Sequence, residues 1–121
     1  MTEDHWPTEW LRAALSLCVL ACLDTGPAHG YAVAQRLSAA GLGTVKGGTL
    51  YPLLGRLEAD GLVTARWEAG EAGPGRKQYT LTPAGRVELD RRRRQWREFH
   101  TVTEAVLGED SASTGRVHDQ G

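Results

Sequence analysis

Apolar positions in the first half of the chain recur with a helical period. Over residues 8–24, Leu11, Leu15, Cys18, Val19 and Cys22 fall on one face, and Leu17 and Leu20 widen it. A short helix that is apolar over most of its girth packs on two sides. Residues 24–30 carry Asp, Thr, Gly and Pro and read as a turn. A second helix is predicted over 31–40, with Tyr31, Ala34, Leu37 and Val33 as its apolar face. Gly41 supplies the left-handed position after it, and Leu42 is placed for the hydrophobic contact that follows such an ending. A third helix is predicted over 48–60. Leu50, Leu53, Leu54 and Leu57 point inward, whereas Thr49, Tyr51, Pro52, Gly55 and Arg56 do not. A helix interior rejects proline, so Pro52 places the first turn close to Thr49. Gly61 ends this helix as Gly41 ends the one before.

The period then changes to two. Residues 62–67 alternate, and so do residues 76–81; the eight residues between them hold three glycines and Pro74. This pattern predicts a β-hairpin with a long tip. Thr82 is a good N-cap and Pro83 suits the first helical position, opening a last helix that runs to about Leu107. Its apolar side is Leu89, Trp96, Phe99, Val102, Val106 and Leu107. Residues 1–7 are expected to be flexible, and residues 108–121, almost without apolar side chains, to be a disordered tail. The expected organisation is thus a core domain over 8–82 and a C-terminal helix over 83–107.

The 121 residues suffice for one domain, and 40% apolar with 24% charged side chains is an ordinary globular balance. The longest apolar run, Leu15 to Leu23, is too short to cross a membrane, and the acidic first residues do not form a signal peptide; a cytoplasmic location is expected. The net charge of −1 conceals a pattern. Residues 30–97 carry twelve basic against six acidic groups, whereas both ends are acidic. A basic middle keeps nucleic acid open as a partner. Cys18 and Cys22, the only cysteines, read as two small buried thiols rather than a metal site. No phosphate-binding glycine loop, carboxylate pair or nucleophile–base pattern supports catalysis, and no spacing of histidines suggests zinc. Neither enzyme, cofactor nor metal is expected.

Two short helices joined by a Gly-containing connection and followed by a glycine-tipped hairpin describe a winged helix-turn-helix. The fold class is mostly α (α+β), with a two-stranded β wing and a long C-terminal helix suited to dimerisation. In such an arrangement the second helix of the pair enters the major groove of double-stranded DNA, which accepts one helix in its width of about 12 Å. Gly47, Gly48 and Thr49 at its leading end allow close approach, and a helix N-terminus favours phosphate.

The stretch from Gly48 to Leu62, GTLYPLLGRLEADGL, closely resembles the recognition-helix signature of PadR-type transcriptional regulators. Three further pieces agree in order and spacing: His29-Gly30-Tyr31, Gly75-Arg76-Lys77-Gln78-Tyr79 and Leu81-Thr82-Pro83-Ala84-Gly85. The resemblance covers roughly residues 10–107, and the single C-terminal helix is similar to the small branch of the family. It implies a homodimeric repressor of operator DNA, joined through residues 8–24 and 83–107 and relieved by a small-molecule ligand. In some relatives planar aromatic compounds stack between paired tryptophans of the last helix, and Trp96 matches that position by its spacing from Gly85. Trp10 and Leu17 resemble further lining positions.

The expected DNA contacts are Tyr31, Lys46, Gly48, Thr49, Tyr51, Pro52, Arg56, Arg76, Lys77 and Gln78. Each has a plainer alternative. Tyr51 is a core aromatic or, lying off the leucine stripe, a base or phosphate contact. Arg56 pairs with Asp60 or faces DNA, and Tyr31 packs between helices or meets phosphate. Arg76 and Lys77 are solvated hairpin charges or phosphate and minor-groove contacts, and strand alternation keeps Lys77 and Gln78 from both facing DNA. Arg91 to Arg94 cover every side of a helix and read as a solvated face. Arg92, Arg93 and His100 lie at helical spacing from Trp96. If this neighbourhood binds anything, it prefers a planar aromatic anion, because paired arginines repel a cation. An interaction adaptor that kept the fold and lost operator binding is the competing function.

Overall fold

The computed structural model describes residues 6–69 and 76–108. Residues 1–5, the hairpin tip 70–75 and the tail 109–121 lie outside the described residues, and with them the expectations of a flexible start and a disordered end. Helix α1 spans Thr8–Asp24, strand β1 Ala28–His29, α2 Gly30–Ala39, α3 Gly47–Ala59, β2 Val63–Glu68, β3 Arg76–Leu81 and α4 Pro83–Leu107. The chain divides after Asp90 into two compact units.

In the first unit the apolar stripes converge. Leu15, Val19, Leu20 and Leu23 of α1 are buried with Val33 and Leu37 of α2, the four leucines of α3, Val63, Tyr79 and Leu81 of the sheet, and Leu89. Burying each such side chain contributes about 1.5–3 kcal/mol relative to exposing it. Cys18, Cys22 and Leu17 are only half-buried at the edge of this core, so the thiols are not enclosed as expected. Tyr31 also departs from the apolar face assigned to it. Val33 and Leu37 fill that face together with the side-chain-free Gly30, and the tyrosine is 66% exposed.

Both helix endings follow glycine geometry. Gly41 and Gly61 have φ of 106° and 78°. Leu42 N–H donates to Leu37 O at 3.0 Å and Gly41 N–H to Ser38 O at 3.0 Å; Leu62 and Gly61 repeat the pattern on Leu57 and Glu58. These paired bonds close the last turn and satisfy carbonyls that would otherwise lack donors. Thr82 caps α4 by accepting from Gly85 N–H at 2.9 Å, and its hydroxyl donates to Gly61 O at 2.7 Å. One side chain thus fastens the start of α4 to the end of α3. Gly85 packs so closely on the Leu62 carbonyl that a Cβ would collide with it. Arg36 of α2 donates to Cys22 O at 3.0 Å and to Thr25 Oγ1 at 3.3 Å, holding the end of α1. Trp6 donates from Nε1 to Gly41 O at 2.9 Å.

The sheet differs from the expected pair of strands. Residues 24–30 do not turn throughout: β1 adds a third, antiparallel strand, and the order is β1-β3-β2. An unpaired β3 edge would leave backbone donors and acceptors without partners. Extended backbone at Ala28 and His29 supplies them, with Ala28 buried opposite Tyr79. Lys77 and Gln78 therefore lie on the central strand.

In the second unit α4 continues without a buried residue. The Trp96 and Phe99 rings lie 6.2 Å apart at 53°. Phe99, Val102, Val106 and Leu107 are exposed.

Candidate nucleic-acid interface

Helix α3 buries its leucines and therefore turns Thr49, Tyr51, Pro52 and Arg56 outward. Lys46 occupies its N-cap in extended conformation, and no side chain caps the first turn. Gly48 is exposed, with open space where a Cβ would stand. The leading end of α3 is thus a bare helix terminus, flanked by one lysine, whose N–H groups suit an anion.

Tyr51 is half-exposed, and its ring lies against Gly30 at the start of α2. A Cβ on residue 30 would stand 2.5 Å from Tyr51 Cε1. The core-aromatic alternative is therefore excluded: the ring rests on backbone at the surface. Tyr31 stands beside it, with its hydroxyl accepting from Gln35 Nε2 at 3.3 Å. A groove of about 370 Å³ opens between α2 and α3 on one side of Tyr51, lined by Ala34, Val45 and Leu50 among others. A second groove of about 280 Å³ lies on its other side, where Tyr31, Tyr51, Trp67, Arg76 and Lys77 meet. Helices α2 and α3 and the β2–β3 hairpin thus bring Tyr31, Tyr51, Trp67 and two cations to one concave surface.

The cations differ in their surroundings. Arg56 makes no ion pair with Asp60, and neither Arg56 nor Arg76 pairs with any described residue. Lys77 is engaged: its Nζ lies 3.7 Å from Glu58 Oε1 and 5.7 Å from the centroid of the Trp67 ring. Gln78 is half-buried on the central strand, with His29 and Arg66 as its cross-strand neighbours. Tyr79 lies under the groove, its phenol pushed above its usual ionisation range by burial, with the negative charge of Glu58 and Tyr51 adding to this.

Two features escaped the sequence. His29 looked isolated, yet its Nε2 lies 2.9 Å from Glu68 Oε1 across the sheet. Trp67 was read only as a strand residue, yet it is 67% exposed on the wing. Laying β2 against β3 in register would have placed it opposite Lys77. The residues expected to hold a ligand are divided between the two units. Trp10 is exposed and Leu17 half-buried on α1. On α4, Trp96 is 41% exposed, Arg92 and Arg93 are half-buried and His100 is exposed. Among the described residues no cluster of three or more His, Cys, Asp or Glu could hold a metal, and no helix is long and apolar enough to cross a membrane.

Residues 19–91 match the model of the transcriptional regulator PadR-like family. The chain is 40% identical over 107 residues to the transcriptional regulator Rv3488 of Mycobacterium tuberculosis, a match covering 88% of this chain and 95% of that one. A PadR family transcriptional regulator from Eggerthella lenta superposes with a TM-score of 0.76 at 33% identity, over 84% of this chain and 88% of that one. Bacillus subtilis PadR, solved in complex with operator DNA, superposes with a TM-score of 0.59 at 28% identity, over 64% of this chain and 44% of its own.

Proposed function

Because the chain belongs to the PadR-like family of transcriptional regulators, we propose that it represses transcription as a homodimer bound to operator DNA. In this reading α3 enters the major groove and the β2–β3 wing lies on the flanking backbone. The observation that carries it is the surface around Tyr51. The recognition helix buries four leucines and turns its polar and aromatic residues outward, next to a wing whose Arg76 makes no ion pair with a described residue. An enzyme needs an enclosed constellation of acid, base or nucleophile; the chain is a regulator, and its outward residues suit recognition of a long, polyanionic partner.

Base readout falls to Thr49 and Tyr51, with Pro52 and Gly48 permitting close approach. Lys46, Arg56, Arg76 and Tyr31 supply phosphate contacts, which fix register without reading sequence. The family relation to a PadR protein solved with operator DNA supports DNA as the partner. DNA as the partner fits a cytoplasmic location. Dimerisation is supported by the exposed apolar side chains of α4, Phe99, Val102, Val106 and Leu107, which a second copy would remove from water. Two recognition helices about 34–36 Å apart would then meet half-sites one turn of DNA apart. The effector reading adds a planar aromatic anion stacked on Trp96, with Arg92 or Arg93 as charge-assisted donors.

The experiment is selection of bound fragments from genomic DNA, followed by affinity measurement over a range of salt. Enrichment of an inverted repeat, with binding that weakens steeply as salt rises, supports the reading. Equal binding to all fragments overturns operator recognition, and a monomer by sedimentation that binds operator fully overturns the dimer.

A further inference from the structure

Beyond the shared core, Lys77 bridges the wing and the recognition helix. Alternate residues of a strand point to the same side, so Lys77 shares a face of β3 with the buried Tyr79 and Leu81. At the end of that face it meets the last turn of α3, where Glu58 Oε1 lies 3.7 Å from its Nζ. Across the β2–β3 ladder Trp67 stands directly opposite, and the ammonium lies 5.7 Å from that ring's centroid. Lys77 is held on two sides, by a carboxylate of the helix and by an aromatic face of the neighbouring strand. Arg76, one residue away and on the alternate side of the strand, is exposed and makes no ion pair with a described residue.

We infer that Lys77 is a positioning residue, the strut that sets the angle between wing and recognition helix, and that Arg76 alone is the wing's phosphate contact. The inference rests on the DNA-binding reading above and refines it. Two elements that contact one ligand reinforce each other only when their spacing matches the ligand's, and holding that spacing before binding removes an ordering cost from the complex. Strand β1 pairs only with Gln78 and Tyr79 of β3, so beyond them the wing has its own two strands and the His29–Glu68 contact to fix its angle. A cation pinned between Glu58 of α3 and Trp67 of β2 spans the joint. An ion pair this exposed adds little to folding stability in water, so its loss leaves the fold intact and shows in DNA binding.

The salt dependence separates a strut from a phosphate contact. Each neutralised phosphate contributes about 0.9 to the slope of log affinity against log salt. As a strut, Lys77→Met weakens operator binding on the order of three- to tenfold and leaves that slope unchanged. Arg76→Ala lowers the slope by about one. Glu58→Gln, which removes the strut's other end, also weakens binding; Lys77→Arg, which keeps charge and reach, stays near wild type. If Lys77 instead touches phosphate, Lys77→Met lowers the slope by about one. Glu58→Gln then tightens binding, because it frees the ammonium and removes a negative charge near DNA. Either of these results, or unchanged affinity in both variants, overturns the inference. Failure of the wild-type protein to bind any operator would instead refute the DNA-binding reading itself.

Discussion

The ring of Tyr51 on α3 occupies the space that a side chain at residue 30 on α2 would need, so Gly30 and Tyr51 are fitted to each other across the helix-turn-helix. The contact is made by the far end of the ring, which is half-exposed and free to swing. Gly30→Ala should therefore cost little stability, about 1 kcal/mol or less at the low end of overpacking, while displacing the phenol from the place proposed above to meet DNA. Operator affinity should fall by about 1–3 kcal/mol, the range for loss of a well-placed contact. The check is a double-mutant cycle with Tyr51→Ala: once the ring is gone, Gly30→Ala should have almost no further effect on DNA binding. Additive losses would show that the two residues act separately.

Thr82 joins two helix ends with one hydroxyl, accepting from Gly85 N–H and donating to Gly61 O. Thr82→Ala removes an N-cap and leaves the Gly61 carbonyl without that donor. Chemical denaturation should show a loss of about 1–2 kcal/mol, the upper part of the range for N-caps. Thr82→Ser, which keeps the hydroxyl, should recover most of it.

Gly85 is required for a different reason, because the backbone carbonyl of Leu62 occupies the place of its Cβ. Backbone yields less readily than the end of a side chain. Gly85→Ala should destabilise by about 1–3 kcal/mol as an overpacked site, more than Gly30→Ala does, and the comparison of their unfolding midpoints tests this order.

Burial raises the ionisation of the Tyr79 phenol, and the nearby Glu58 and Tyr51 reinforce it. The folded chain therefore holds this proton more tightly than the unfolded chain. The resulting stability is fully present below the unfolded phenol's pKa of about 10 and is lost as pH rises through the higher, folded value. Burial raises the Cys18 and Cys22 thiols too, which acts in the same direction at somewhat lower pH. Tyr79→Phe should flatten the fall of the unfolding midpoint above about pH 10. An unchanged alkaline limb would show that the phenol does not contribute.

Much of this was legible in the order of residues. The leucine stripe of α3, the glycines after α2 and α3, and Thr82 before Pro83 are local signals. Helical period, left-handed backbone and capping each act over a few residues, so sequence alone determined the four helices, the hairpin and the leucine stripe that Tyr51 lies off. Neighbours that meet across the fold were not legible. Strand β1 forms because β3 presents an edge to Ala28 and His29, and no local pattern in residues 24–30 announces that edge. Lys77 looked like one more free cation beside Arg76. Only the register of β2 on β3 and the approach of α3 set Trp67 and Glu58 against it. The exposure of Tyr31 was decided in the same way, since the place its ring would take is filled by Val33 and Leu37 packing on other helices. Local chemistry selects elements over a few bonds, whereas pairings between distant residues exist only once the core has closed and fixed which faces meet.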